Sequence, residues 1–307
     1  MKKTTFTKHG FFLIDKPAGL SSAQVVSRVK RITGAKKVGH TGTLDPFATG
    51  LMICGVNSGT RLSRFFLTCD KTYIAGLRLG AETDTMDCTG AVISDAEVPS
   101  IDAFCENDFQ VLLKSFEGRQ NQLPPVYSAL KHNGVPLYKL ARKGTPVQKP
   151  PREITIYNTA MLEFDLPEVM FEVTCSTGTY IRTLASDIGR LIGCGGHLVS
   201  LRRTTSGSFS IDDAVTLDEL ENMTNPVDAL ISMNDALPEM PSHIADDQLE
   251  SKISNGMGLG DEDGIDVDEL QGDEVFIKIL NRDKQIIAVV VYNKTSSSYN
   301  YCCVFHY

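Results

Sequence analysis

Residues 39–56 read Gly39-His40-Thr41-Gly42-Thr43-Leu44-Asp45-Pro46-Phe47-Ala48-Thr49-Gly50-Leu51-Met52-Ile53-Cys54-Gly55-Val56. The first twelve hold three glycines, a histidine and an Asp-Pro step, and the last six are an apolar run of strand length. Proline pushes the residue before it out of the helical region, and glycine lets a second backbone come close. The stretch therefore predicts a loop that presents Asp45 beside the edge of a buried strand. Alone, an Asp-Pro step is a turn whose carboxylate bonds its own backbone. The surrounding sequence decides between the two.

Upstream, Phe11-Phe12-Leu13-Ile14 reads as a short buried strand, broken by Lys16-Pro17-Ala18-Gly19. Ser21 and Gln24 have the spacing of a capping box, and Val25, Val26, Val29 and Ile32 recur at helical spacing, so a helix is expected to about Thr33, with Gly34 ending it. Arg28, Lys30, Arg31, Lys36 and Lys37 then make a basic approach to the Asp45 loop. Downstream, strands are expected at residues 51–56, 72–79, 154–164 and 169–175, and helices near 101–116 and 180–192. Strands and helices mix without a βαβ rhythm, which predicts an α+β fold rather than a doubly wound one. Residues 121–152, rich in Pro, Gly, Lys and Tyr, are too long and too punctuated for a simple turn and read as a functional excursion. Pro238 and Pro241 mark an expected boundary between a domain of residues 1–237 and a small β domain of residues 238–307, with strands near 274–280, 285–292 and 299–305.

A chain of 307 residues, 42% apolar, can bury a sizeable core. Its net charge of −8 is unevenly spread: residues 1–152 hold 21 Lys and Arg against 12 Asp and Glu, the remainder 9 against 26. A basic half points to a polyanionic partner even in an acidic chain. The eight cysteines are scattered, with no Cys-x-x-Cys pair, as free thiols of a reducing cytoplasm would be. The apolar residues near the N-terminus are too few for a signal peptide, and no run is long enough to span a membrane. The six histidines lack ligand spacing, the acidic residues 261–266 do not fit a calcium loop, and residues 193–197 lack the Lys-Ser/Thr of a phosphate loop.

The string GHTGTLDPFATGLMICGVNSGTRLSRF resembles the catalytic motif of the TruB-type tRNA pseudouridine-55 synthase family. GFFLIDKPAGLSS, DKTYIAGLRLGAETDTMDCTG, PPVYSALKHNGVPLYKLARKG, STGTYIRTLASDIG and GGHLVSLRRTTSG resemble further segments of that family in the same order, so the resemblance covers about residues 10–215. It implies a mixed, largely antiparallel sheet with flanking helices, plus a small C-terminal β-barrel of the PUA-like kind. It implies isomerisation of a T-loop uridine to pseudouridine, with tRNA as partner, no guide RNA, no membrane, no metal or redox cofactor, and a monomeric enzyme in the cytoplasm. Asp45 becomes the essential carboxylate, Arg182 the cation that pairs with it and lowers its pKa, and Tyr73 the ring that stacks on the flipped-out base. His40 is expected to fill space the base vacates. Lys16, Asp84, Tyr127, Lys131, Arg142, Lys143, Tyr180 and Leu201 are expected on the RNA side. The alternatives are a guide-dependent rRNA pseudouridine synthase and a non-catalytic tRNA-folding factor. Residues 235–274 hold 13 carboxylates against Lys252 alone, an unusual surface for gripping phosphate.

Overall fold

The structure is a computed structural model that describes residues 6–100, 102–266 and 272–306. Its main sheet is built from β1 (Gly10–Lys16), β2 (Thr49–Val56), β3 (Lys71–Leu79), β4 (Gly118–Gln122), β5 (Arg152–Asp165), β6 (Glu168–Cys175) and β7 (Gly196–Ser206). These run in the order β1-β2-β7-β3-β6-β5-β4, with the short strand Val215–Thr216 outside β1. Along this order every pairing is antiparallel except Val215–Thr216 on β1 and β7 on β2. The β7–β2 contact is brief, Arg202 facing Thr49 and Arg203 facing Gly50. The Asp45 loop enters β2 at this join, so the sheet itself decides where the loop sits.

Helix α1 (Ser22–Thr33) has the expected capping box of Ser21 and Gln24 and ends at Gly34 in the left-handed region, φ 74°. Its Val25 and Val29 pack on Phe12, Ile14 and Met52, burying the apolar face that the spacing called for. Helix α2 (Ile181–Ile192) buries Leu184, Ala185 and Ile188 in a cluster with Ala75, Leu77, Phe171 and Val173 of the sheet. The helix expected over residues 101–116 is shorter, Glu106–Lys114, and residue 101 lies outside the described residues.

Strand β7 carries no clear alternation, because Leu201-Arg202-Arg203-Thr204-Thr205 places charge on both faces. It is nevertheless central, paired to β3 from Gly196↔Leu79 to Ser206↔Lys71. Arg202 reaches out to Asp15, at 2.8 Å, while Arg203 is buried. A buried arginine inside a strand defeats a hydrophobicity pattern, and sequence reading passes over the element.

The expected β-barrel is not formed. Strands β8 (Ser242–Ile244), β9 (Glu274–Leu280), β10 (Ile286–Asn293) and β11 (Ser298–Val304) make an open sheet in chain order, and no pairing joins its two edges among the described residues. Closure is unnecessary because both faces are covered. Helix α3 (Asp247–Ser254) places Leu249 and Ile253 on Ile277, Ile279, Ala288 and Val290. The opposite face puts Leu280, Ile286, Val289 and Phe305 into a cluster with Phe11, Leu13, Phe66 and Leu237 of the preceding chain. Buried Lys278 adds hydrogen bonds to the carbonyls of Leu237, at 2.7 Å, and Asn234, at 3.2 Å. No helix among the described residues is long and apolar enough to cross a membrane.

Candidate active site

The loop of residues 41–48 is fixed through its backbone. The Ser22 hydroxyl, at the start of α1, accepts from the Leu44 N–H (2.9 Å) and donates to the Leu44 carbonyl (3.0 Å). Gly19 N–H donates to the Pro46 carbonyl at 2.7 Å, and Thr41 N–H to the Ile53 carbonyl at 3.1 Å. The Lys16 ammonium, wholly buried, donates to the carbonyls of Ala48 (2.6 Å), Pro17 (2.9 Å) and Pro46 (3.3 Å). Lys16 thus lies behind the loop, its ammonium committed to backbone carbonyls. Burial pushes its pKa down to about 8, the Asp45 carboxylate pulling it up and Arg203 pressing it further down. With these backbone groups occupied, the loop is held in place and the Asp45 side chain stays partly exposed.

That carboxylate meets Arg182, from the first turn of α2. Arg182 Nε lies 2.9 Å from Asp45 Oδ2, and Nη2 lies 3.5 Å from Oδ1. The same guanidinium donates to the Tyr127 carbonyl (2.8 Å), the Thr85 carbonyl (3.0 Å) and Asp87 Oδ2 (3.3 Å). A planar fork with fixed donors can satisfy four partners at once. Only 5% of the Arg182 side chain is exposed, against 34% for Asp45, so the cation forms the wall and the carboxylate the open face. Burial raises the Asp45 pKa, Arg182 pulls it back, Asp87 raises it again and Lys16 lowers it. The net direction is upward: the expected lowering by Arg182 is present but burial outweighs it.

Tyr73, on β3, is 8% exposed and packs in the same cluster as Leu44 and Ala48 of the loop. Burial raises its phenol pKa, with Asp45 contributing in the same direction, so the hydroxyl stays protonated. Its partner across the sheet is Arg203. His40 is half-buried, its Nδ1 accepting from the Gly42 N–H at 3.4 Å, and burial together with Arg203 lowers its pKa, favouring the neutral ring. Leu201 is buried in the cluster that holds Tyr73.

The excursion is structured. It contains a hairpin, Lys131–His132 with Val135–Pro136, and a helix, Leu137–Arg142. Lys131, Lys139, Arg142 and Lys143 are exposed on it, Arg142 standing 5.7 Å from the centre of the Tyr138 ring. Tyr127 lies where the excursion meets the site, its hydroxyl 3.3 Å from Asp84 Oδ2. Asp84 also accepts from the Ala91 N–H at 2.9 Å, so it closes a turn and supports Tyr127. Tyr180 is held through its backbone by Gln122, at 2.7 and 3.0 Å, and carries the Arg152 guanidinium 4.5 Å over its ring.

Three residues escape sequence reasoning. Asp87 is the second carboxylate on Arg182, fixed by the Thr85 hydroxyl (2.8 Å) and the Thr89 N–H (2.9 Å). Its neighbour three residues earlier, Asp84, offers the same chemistry, and only the fold separates them. Arg203 and Ser22 are the others. Among the described residues no cluster of three or more His, Cys, Asp or Glu is placed to hold a metal ion.

A family model described as TruB family pseudouridylate synthase (N terminal domain) matches residues 30–181, and one described as tRNA pseudouridylate synthase B C-terminal domain matches residues 182–237. A tRNA pseudouridine synthase B of Bordetella avium is 49% identical over 228 residues, 74% of this chain and 92% of that protein. One of Francisella philomiragia is 39% identical over 289 residues, 92% of this chain and 94% of its own length. Among solved structures, a chain in the crystal structure of a Cbf5-Nop10-Gar1 complex superposes with a TM-score of 0.73 at 25% identity, covering 97% of this chain and 85% of that one. Identity at this level, over a span that includes Asp45, Tyr73 and Arg182, assigns the family: the chain belongs to the TruB family of pseudouridylate synthases.

Proposed function

We propose that this pseudouridine synthase acts on tRNA, isomerising the T-loop uridine at position 55 without a guide RNA, and that Asp45 is the group that engages the ribose. The observation that carries the reading is the Asp45–Arg182 pair, a carboxylate on an open face backed by a buried cation. The reaction breaks the C1′–N1 bond, turns the uracil in place and joins C5 to C1′; the proton on C5 is lost and N1 gains one. Nothing is added, so a second carboxylate to activate water, as glycoside hydrolysis needs, has no task here. That suits a site whose other carboxylate, Asp87, is committed to Arg182. The Tyr73 ring provides a face for the extruded base, while Lys131, Arg142 and Lys143 provide charge for the stem phosphates. The same proposal divides the chain at residue 237 into a catalytic part and an accessory part.

The test is incubation of the purified chain with a T-arm transcript alone, followed by pseudouridine mapping. Conversion at the T-loop uridine is expected; conversion only when a guide RNA is added would favour the guide-dependent alternative. Asp45→Ala should abolish conversion while leaving tRNA binding unchanged, and retained conversion in that variant would sink the mechanism.

A further inference from the structure

Arg203 is 2% exposed and lies in the middle of the sheet, where an unpaired cation costs several kcal/mol unless its charge is answered. The ion pairs of the site both belong to Arg182. Arg203 instead donates to neutral carbonyls, Nε to Leu51 (2.7 Å) and Nη2 to Gly42 (3.3 Å). Leu51 begins the apolar run of β2, and Gly42 is three residues before Asp45 in the loop. On the strand side, Arg203 faces Tyr73 directly across the β7–β3 pairing, and its charge pulls the Tyr73 phenol pKa down against the burial that raises it. The guanidinium, on the residue that faces Tyr73, therefore bonds the loop and the strand that follows it.

The local backbone is shaped to admit this side chain. Gly42 has φ 136°, and a Cβ there would stand 3.3 Å from Arg203 Nη1. Gly50 has φ 101°, and a Cβ there would come within 2.3 Å of the Arg203 carbonyl oxygen. Two of the three glycines that mark the loop thus border Arg203, one on its side chain and one on its backbone.

We propose that Arg203 is a positioning residue for the isomerisation, tying the Tyr73 side chain to the Gly42 turn so that the ring facing the base and the loop carrying Asp45 form one rigid unit. Lysine in place of arginine keeps the charge but loses the fork, and so cannot hold both ends.

This inference rests on the reading of Tyr73 as the ring that faces the base. The test is a double-mutant cycle on single-turnover rates with saturating T-arm RNA, using Arg203→Lys, Tyr73→Phe and their combination. Each single variant is expected to lose about 10-fold or more in rate with RNA affinity within about 3-fold of the parent, and the combination to be no slower than the slower single. Losses that multiply, or a Tyr73→Phe enzyme of full rate, would overturn the proposal. If Arg203→Lys melts early, Gly42→Ala, which crowds the same guanidinium, takes its place in the cycle. Tyr73→Leu distinguishes the underlying reading: full activity there would remove Tyr73 from the base site altogether, whereas an additive cycle with an inactive Tyr73→Leu would remove only the role of Arg203.

Discussion

Arg182 Nε stands 2.9 Å from the Asp45 carboxylate, with the cation buried and the anion partly exposed. The guanidinium also carries Asp87 and two backbone carbonyls, so it is the hinge point of three segments that are far apart in the chain.

Arg182→Lys is expected to lower the single-turnover rate on the order of 10²-fold, because an ammonium cannot hold the fork to Asp45 while also serving Asp87. Arg182→Met should in addition destabilise the fold by about 3–5 kcal/mol, since it strands Asp87 as a buried charge. Rapid-quench assays and chemical denaturation separate the two effects.

Asp87→Asn keeps the shape and removes one charge. Because Asp87 raises the Asp45 pKa, its neutralisation lowers that pKa, and the acid limb of the rate profile should move to lower pH. A pH–rate series on parent and variant checks the sign, and a shift to higher pH would contradict the assigned electrostatics.

Lys16 gives the alkaline limb. Its pKa in the fold is about 8, below the ordinary lysine value of 10.5. Between these two values the unfolded chain holds more protons than the folded one, so this group's contribution to stability rises with pH there. Activity should do the opposite, falling above about pH 8 as the ammonium loses one of its three donors to the loop carbonyls. Lys16→Met is expected to remove that limb from the profile at a lower overall rate.

Gly50→Ala should cost more than about 2 kcal/mol, measured by denaturant titration, since the new Cβ would meet backbone atoms of Arg203 at 2.3 and 2.7 Å and neither strand can yield without breaking the β7–β2 join.

Replacing Lys131, Arg142 and Lys143 together by Gln is expected to raise KM for tRNA with kcat nearly unchanged. The slope of log affinity against log salt should become shallower by about two to three, one phosphate per cation removed. An unchanged slope would take the excursion out of the RNA contact.

The sequence by itself determined the local elements that obey a period or a cap. The Ser21–Gln24 box with Gly34 delimits α1, the apolar run 51–56 gives β2, and the last three strands lie within a residue or two of where alternation placed them. Motif resemblance supplied Asp45, Tyr73 and Arg182 as candidates, though an Asp-Pro step read alone is a turn. Tertiary structure decided the rest, because it depends on long-range pairing and burial. Periodicity carried no sign that β7 is central, since Arg203 points inward. It did not separate Asp87 from Asp84, which differ only in which one the chain folds toward Arg182. Lys16 is a basic residue whose burial under the loop no local pattern announced. The open C-terminal sheet has the same cause: strands predict a sheet, but whether it closes depends on what covers its two faces, and here α3 and the main core cover both.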